Sequence, residues 1–157
     1  MFSLPKVSVV IPTYNRAHEL KRALKSVQKQ TFTSWEVLIV DNHSMDTTGQ
    51  VVREFSDPRM RLFKINNNGV IAASRNLGLR KASGEFIAFL DSDDWWKPEK
   101  LKMSVNALNA GADIVYHDLL LVKKNRREFG FKKVSTRRLK TPIFENLLAN
   151  GNCINNS

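Results

Sequence analysis

The sequence predicts an α/β domain, three layers deep (α/β/α), built on a mainly parallel central sheet. Two observations carry that expectation. Short β-branched runs alternate with segments whose apolar residues recur at helical spacing, the rhythm of strands and helices that cover both faces of a sheet. Several runs also end abruptly in polar residues, at Thr13 to Arg16, Asp41 to Ser44 and Asp91 to Asp94. Open parallel sheets collect ligands outside the carboxyl ends of their strands, so these three segments should meet on one rim. Crossovers should be right-handed.

Taken in order, Val7–Ile11 is β-branched and bounded by Pro12, a central strand followed by the loop Pro12–Arg16. Leu20, Ala23, Leu24 and Val27 then mark one helix face, with Lys21, Arg22 and Lys25 outside it. Glu36–Val40 is the second strand, and Asp46 is placed to N-cap a helix with Val51, Val52 and Phe55 inward. Asp57-Pro58 ends that helix before a third strand at Arg61–Ile65. Asn66–Gly69 reads as a turn into a helix from about Ile71 to Ala82, which Gly84 is placed to end. Phe86–Leu90 is the fourth strand. Pro98 opens a helix carrying Leu101, Val105 and Leu108, and Gly111 closes it. Asp113–Tyr116 should begin a fifth strand continuing through Leu119–Val122. Beyond it the chain turns basic, with a hairpin expected around Phe129-Gly130-Phe131, a short helix at Ile143–Ala149 and a polar ending.

Composition bounds the function classes. At 157 residues the chain is one domain with room for a sizeable core, and 42% hydrophobic with 25% charged residues is ordinary for a soluble protein. No apolar stretch before Pro12 suits a signal peptide, and no run reaches membrane-spanning length. The single cysteine, Cys153, excludes an internal disulfide and fits a reducing, cytoplasmic setting. His18, His43 and His117 lack the spacing of a zinc site. The net charge of +10 gathers in Lys123–Arg127, Lys132-Lys133 and Arg137–Lys140. Such runs serve as solvated faces or meet anionic partners. Phe129 and Phe131 form no RNA-stacking motif, so nucleic acid is not the expected partner.

The fourth strand delivers Asp91, Asp93 and Asp94, three carboxylates within four residues. Such neighbours repel unless a cation or a hydrogen-bonding ligand sits among them. Oxygen-only ligands suit Mg²⁺ or Mn²⁺, which keeps positions open for substrate phosphates. The plain alternative is an acidic turn capping the next helix. The buried run before it and Trp95-Trp96 after it favour a metal and diphosphate site. Neither G-x-G-x-x-G nor G-x-x-x-x-G-K-[ST] occurs, so backbone amides of those loops do not hold phosphate here. Arg75 offers a second cationic contact, or is a surface helix arginine. Asp41 can accept a base N–H and Asn42 offers donor and acceptor together. Tyr14 can cover base or ribose. Equally, Asp41 suits an Asx-turn and Tyr14 an ordinary rim position.

Taken together, VSVVIPTYNR (Val7 to Arg16), VDNHSMD (Val40 to Asp46), NGVIAASRNLG (Asn68 to Gly78) and GEFIAFLDSDDWWKP (Gly84 to Pro98) resemble the GT-A glycosyltransferases of family two. The match runs in order from about residue 5 to residue 122. It implies the GT-A fold, a Rossmann-like nucleotide-diphospho-sugar transferase architecture. It also implies a hexosyltransferase-type enzyme with a nucleotide-diphospho-sugar donor and a divalent metal, inverting transfer to an acceptor hydroxyl in polysaccharide or cell-envelope glycan synthesis. By that resemblance Pro12, Thr13, Tyr14, Asp41 and Asn42 hold the base, and Arg75 lies near the donor phosphates. The family's D-x-D element falls on Asp91 and Asp93, with Asp94 the alternative ligand. Arg16, Asp91 and Ser92 complete the expected substrate-binding set, and Asp93 and Asp94 are the expected metal ligands.

Two departures stand out. Many members carry a second acidic residue where Asn42 stands, which leaves the base open among uridine, thymidine and guanosine. Members also continue past this length, and the later half supplies the general base. Residues 1–122 are therefore expected to form the nucleotide-sugar-binding core, and 123–157 the basic start of an acceptor-side half that Gly151–Ile154 resembles before the chain stops. Asp118 and Glu145 lie in no base motif, so the catalytic base is expected beyond this chain. The alternative is a nucleotide-sugar-binding module without turnover. The acceptor is expected to be a sugar or lipid-linked, with the basic tail at an anionic membrane, peripheral to its inner face.

Overall fold

The computed structural model describes residues 4–125 and 128–136. Strands β1 (Val7–Thr13), β2 (Trp35–Asp41), β3 (Met60–Lys64) and β4 (Phe86–Phe89) form one parallel sheet in the order β3-β2-β1-β4. Helices α1 (Ala17–Gln28), α2 (Thr48–Glu54) and α3 (Ile71–Lys81) connect them, and α4 (Lys100–Asn109) follows β4. The chain thus builds outward from β1 to β3 and then crosses back to place β4 on the other side of β1. The reversal of strand order opens a crevice beside the end of β1.

Strand alternation divides the sheet into two faces. Val7, Val9 and Ile11 of β1 and Val37 and Ile39 of β2 join Leu20, Ala23, Leu24 and Val27 of α1 and Leu101 and Val105 of α4 in the main core. Trp96 belongs to the same cluster and is buried. The other face takes α3, which packs on β1 and β2. Gly78 comes so close there that a Cβ on it would lie 2.4 Å from a methyl of Val10.

β1 runs through Pro12 to Thr13, longer than the sequence suggests. Successive backbone groups of β1 face alternate neighbours: the Val10 carbonyl accepts the Leu90 N–H at 3.1 Å, and the Thr13 carbonyl accepts the Asn42 N–H at 3.0 Å. The missing N–H of Pro12 therefore falls on the β4 side, where pairing has already ended at Val10. Thr13 in consequence sits on the ladder opposite Asp41.

Gly84 does not end α3, whose last turn closes at Ala82 in extended conformation. It is required for close approach instead. A Cβ there would stand 2.7 Å from the Ser8 nitrogen and 2.8 Å from the Val7 carbonyl carbon, backbone atoms that cannot yield. Gly111 does close α4: at φ +97° it donates to the Leu108 carbonyl while Ala112 donates to that of Ala107, a Schellman pair.

The expected fifth strand differs. Residues 113–118 form no strand, and Ile114 is exposed, so its β-branched side chain finds no sheet surface to pack on. β5 (Leu119–Asn125) instead pairs antiparallel with β6 (Glu128–Val134) in a separate two-stranded sheet. The hairpin exists, but Phe129-Gly130-Phe131 lies within β6, opposite Lys124, Lys123 and Val122, rather than at its turn. The helix expected at Ile143–Ala149 lies outside the described residues.

Candidate active site

The three rim segments converge as the strand order requires. The Asn15 N–H donates to Ser44 Oγ at 2.8 Å, and Asn15 Oδ1 accepts the Met45 N–H at 2.8 Å, joining the β1 and β2 loops. Asp46 ties them further. One of its oxygens accepts from the Ala17 N–H at the start of α1, the other from the backbone and hydroxyl of Thr48 at the start of α2. Burial raises its pKa, but these hydrogen bonds outweigh it and leave the carboxyl below its usual range. Asp46 thus ties two helix starts, but from one position before the N-cap of α2, which is Thr47 rather than Asp46 as expected.

Between these loops and the end of β4 lies an open cleft of about 400 Å³. Pro12, Thr13, Tyr14, Arg16, Asn42, Asp91, Ser92 and Asp93 form its walls, as the sequence suggests. Asn67, Gly69, Ile71 and Ser74 complete them and were read only as a turn and a helix start. The signal for them was the amide-rich Asn66–Gly69 run before α3, where Asn68 and Gly69 both take positive φ. Asp41, Arg75 and Asp94 stand off the cleft wall. Asp41 is 1% exposed and accepts from both the N–H and the hydroxyl of Ser44, a local tie spanning one residue more than the Asx-turn the sequence suggests.

The acidic segment is held by guanidinium groups. Arg75 Nη2 donates to Asp91 at 2.8 Å, and Arg16 Nη1 donates to Asp93 at 3.0 Å. Arg22 donates to the Asp93 carbonyl and lies 3.9 Å from the ring centre of Trp95. The repulsion expected among the carboxylates is therefore met at Asp93 by Arg16, just before α1, and at Asp91 by Arg75 of α3. The carboxylates of Asp91 and Asp93 remain on the cleft wall. Asp94 donates its N–H back to the Asp91 carbonyl, which tightens the turn.

One polar group in the cleft is unanswered. The Thr13 hydroxyl is buried and has no hydrogen-bond partner among the described residues. Buried hydroxyls are rarely left so, and at the foot of a cleft the vacancy suits a ligand. Asn42, by contrast, spends its amide oxygen on the Asn67 N–H at 2.9 Å, and Asn67 in turn donates to Ser74 Oγ at 2.8 Å.

Asp118 is not among the residues that form the cleft walls. Hydrogen bonds from Lys133 and from the backbone and hydroxyl of Thr136 pull its carboxyl down to about 2. A carboxylate so stabilised is a weak proton acceptor at neutral pH. Glu145 lies outside the described residues. No helix among the described residues is long and apolar enough to cross a membrane.

Comparison with known proteins gives one answer. The family model for glycosyl transferase family 2 matches residues 8–154. The Escherichia coli UDP-Glc:alpha-D-GlcNAc-diphosphoundecaprenol beta-1,3-glucosyltransferase WfgD is 40% identical over 120 residues, 76% of this chain and 47% of that protein. The Campylobacter jejuni GalNAc(5)-diNAcBac-PP-undecaprenol beta-1,3-glucosyltransferase is 36% identical, covering 82% of this chain and 43% of its own length. Among solved structures, S. aureus TarS 1–349 in complex with UDP superposes with a TM-score of 0.64 at 35% identity, over 67% of this chain and 32% of that one. The mannosyltransferase PcManGT from Pyrobaculum calidifontis, in complex with GDP-Man and Mn²⁺, gives 0.62 at 30% identity, over 78% and 37%. The chain spans less than half the length of these relatives. The parallel sheet, the rim cleft and these matches agree: the chain has the GT-A fold and belongs to glycosyl transferase family 2.

Proposed function

We propose that this chain binds the donor of a glycosyltransferase: a nucleotide-diphospho-sugar held in the rim cleft, from which the sugar passes with inversion to an acceptor hydroxyl. The observation that carries the reading is the meeting of Thr13, Asn42, Asp91 and Asp93 on one cleft wall, with arginines behind the carboxylates. Base and ribose lie toward Pro12, Thr13, Tyr14 and Asn42, with Tyr14 exposed and able to cover them. The diphosphate lies toward Ser92, Arg16 and the acidic turn, and Arg75, now on Asp91, is within that neighbourhood to meet negative charge.

The donor set fits a hard divalent cation such as Mg²⁺ or Mn²⁺. Two carboxylates stand on the wall, and no group of three or more His, Cys, Asp or Glu side chains among the described residues forms a closed cage. Such an ion takes few protein oxygens and completes its shell with water and phosphate. Asp93 would hold it. Asp91 shares the wall while Asp94 does not, which favours the Asp91–Asp93 spacing over the Asp93–Asp94 pair. When bound, the ion neutralises charge on the departing diphosphate. The acceptor base is assigned to no described residue.

A thermal-shift panel tests the reading: UDP, GDP, dTDP and CDP, each with and without Mn²⁺. One nucleotide should raise the melting temperature, and more so with the metal. At a hundred times its dissociation constant a ligand adds about 2.7 kcal/mol, an upward shift of roughly 5–10 °C at this chain length. A flat response to all four removes the reading.

WfgD and its Campylobacter counterpart are named for undecaprenol-linked diphosphate substrates. We therefore propose a lipid-linked acceptor in cell-envelope glycan synthesis, met at an anionic membrane face. Lys132 is exposed on β6 opposite exposed Leu121 of β5, and Lys133 opposite exposed Leu120, so each face of the hairpin sets a cation beside an apolar side chain. The chain should sediment with anionic vesicles at low salt and release at high salt. Equal recovery with neutral vesicles would discard the membrane contact.

A further inference from the structure

We infer that Arg22, stacked on Trp95, is a positioning residue: it fixes the backbone from which Asp93 reaches toward a divalent ion, without touching the carboxylate. This rests on the proposed metal site at Asp93.

Between the end of β4 at Phe89 and the start of α4 at Lys100 the chain has neither ladder nor helix to satisfy its backbone. Side chains of α1 do so instead. Arg22 and Ser26 stand about one helical turn apart, and Gln30 follows at the same interval just past the helix end. Arg22 donates to the Asp93 carbonyl. Ser26 Oγ accepts the Trp96 N–H at 3.1 Å. Gln30 donates to the Lys97 carbonyl at 2.8 Å and accepts the Leu101 N–H at 2.9 Å. Gln30 and Ser26 are buried and Arg22 is exposed, so this stripe runs from the interior out to the acidic turn.

Its outer end bears on the metal ligand. The peptide unit between Asp93 and Asp94 is pinned at both poles: Arg22 holds its carbonyl, and its N–H donates to the Asp91 carbonyl at 3.0 Å. That unit adjoins the Cα of Asp93, so pinning it sets the direction in which the carboxylate leaves the chain. Arg16 and Arg22 therefore meet Asp93 differently. Arg16 pairs with the carboxylate itself, where a divalent ion would compete with it. Arg22 holds only backbone, and an ion at the carboxylate leaves that bond intact.

Trp95 supplies the second observation. Its ring is 43% exposed, and the Arg22 guanidinium lies 3.9 Å from the ring centre. The core does not account for this ring, since the neighbouring Trp96 is the one that packs into it. A guanidinium laid on an aromatic face loses side-chain freedom and presents its N–H groups at the edge. Here that edge meets the Asp93 carbonyl.

The test is calorimetric titration of the chain with UDP, GDP, dTDP and CDP, each in Mn²⁺ and in EDTA. For a nucleotide that binds, the ratio of the two affinities measures what the ion adds. Arg22→Met keeps the stem and removes the guanidinium. The ratio should fall about five- to tenfold, the scale of one hydrogen bond, while the affinity in EDTA stays within about twofold. Charge alone predicts the opposite sign, because losing a cation near the site favours a divalent ion. Trp95→Leu should lower the ratio as Arg22→Met does, and Trp95→Phe, which restores a ring face, should recover most of it. Both residues are exposed, so the unliganded melting temperature should drop by no more than about 2–4 °C in these variants.

An unchanged or raised ratio in Arg22→Met or in Trp95→Leu overturns the inference alone. So does an affinity in EDTA that falls as far as the affinity in Mn²⁺. If no nucleotide binds the unsubstituted chain, or none gains from Mn²⁺, the donor and metal reading fails and the inference falls with it.

Discussion

Converting Asp93 to alanine is expected to abolish the manganese-dependent part of nucleotide stabilisation while leaving the fold in place. Both halves follow from where the side chain stands. Its carboxylate is on the cleft wall, 3.0 Å from Arg16, and both partners of that pair are 49% exposed. Half-exposed ion pairs contribute about 0–1 kcal/mol, so the unliganded melting temperature should fall by no more than about 2–4 °C. The ligand-induced rise of roughly 5–10 °C should collapse to the metal-free value. Asp93→Asn separates charge from shape, because its amide oxygen still accepts from Arg16 but is a poor ligand for a hard cation. It should behave as the alanine does. A manganese-dependent rise that survives in either variant would place the ion elsewhere on the rim.

That such a rim exists was legible in the sequence, because it follows from strand polarity. A β-branched run ending in Asp41, and an apolar run ending in Asp91, must bring those ends together once both pair in parallel with β1. Core residues were legible for the same reason: Leu20, Ala23, Leu24 and Val27 can all be buried only on one helix face. Which cation each carboxylate would take was not. Arg16 and Asp93 are 77 residues apart, and their pairing depends on two loops folding back over a strand end. Period and propensity say nothing about that. Gly84 was misread because a glycine after a helix looks like a cap, whereas its need arises from the backbone of a strand far away in sequence. Asn66–Gly69 was read as a turn, and is one, but its amides also build the cleft wall through Asn42 and Ser74. The failed fifth strand shows the same limit. Ile114 and Val115 favour a strand only where a sheet edge receives them.

Glu36→Ala is expected to be strongly destabilising although the residue lies away from the cleft. This carboxylate lies on the α3 face of β2, 6% exposed, at the opposite end of the sheet from the rim. One oxygen accepts from Ser8 Oγ at 2.6 Å, the Ser83 N–H at 2.8 Å and the Ser83 hydroxyl at 2.7 Å, and the other takes Arg61. Ser8 Oγ then accepts the Gly84 N–H, so the network closes the very contact that forbids a side chain at residue 84. Alanine leaves these donors unanswered around a void. Breaking such a pair costs about 3 kcal/mol, the Arg61 guanidinium being part-exposed and able to recover water, or roughly 6–12 °C in melting temperature. Burial alone would raise the Glu36 pKa, but the hydrogen bonds from Ser8, Ser83 and Arg61 outweigh it and hold the value below the ordinary 4.5. A carboxyl lowered by folding stabilises fully above its unfolded value and loses that contribution as pH falls through its folded one. The melting temperature should therefore carry a Glu36 contribution above about pH 4.5 that fades below it. Glu36→Gln cannot titrate, so the gap between it and the unsubstituted chain should narrow from pH 6 to pH 3. A gap that stays constant would mean that folding leaves the Glu36 pKa where it was, and one that widens toward pH 3 that the folded chain keeps the carboxyl protonated.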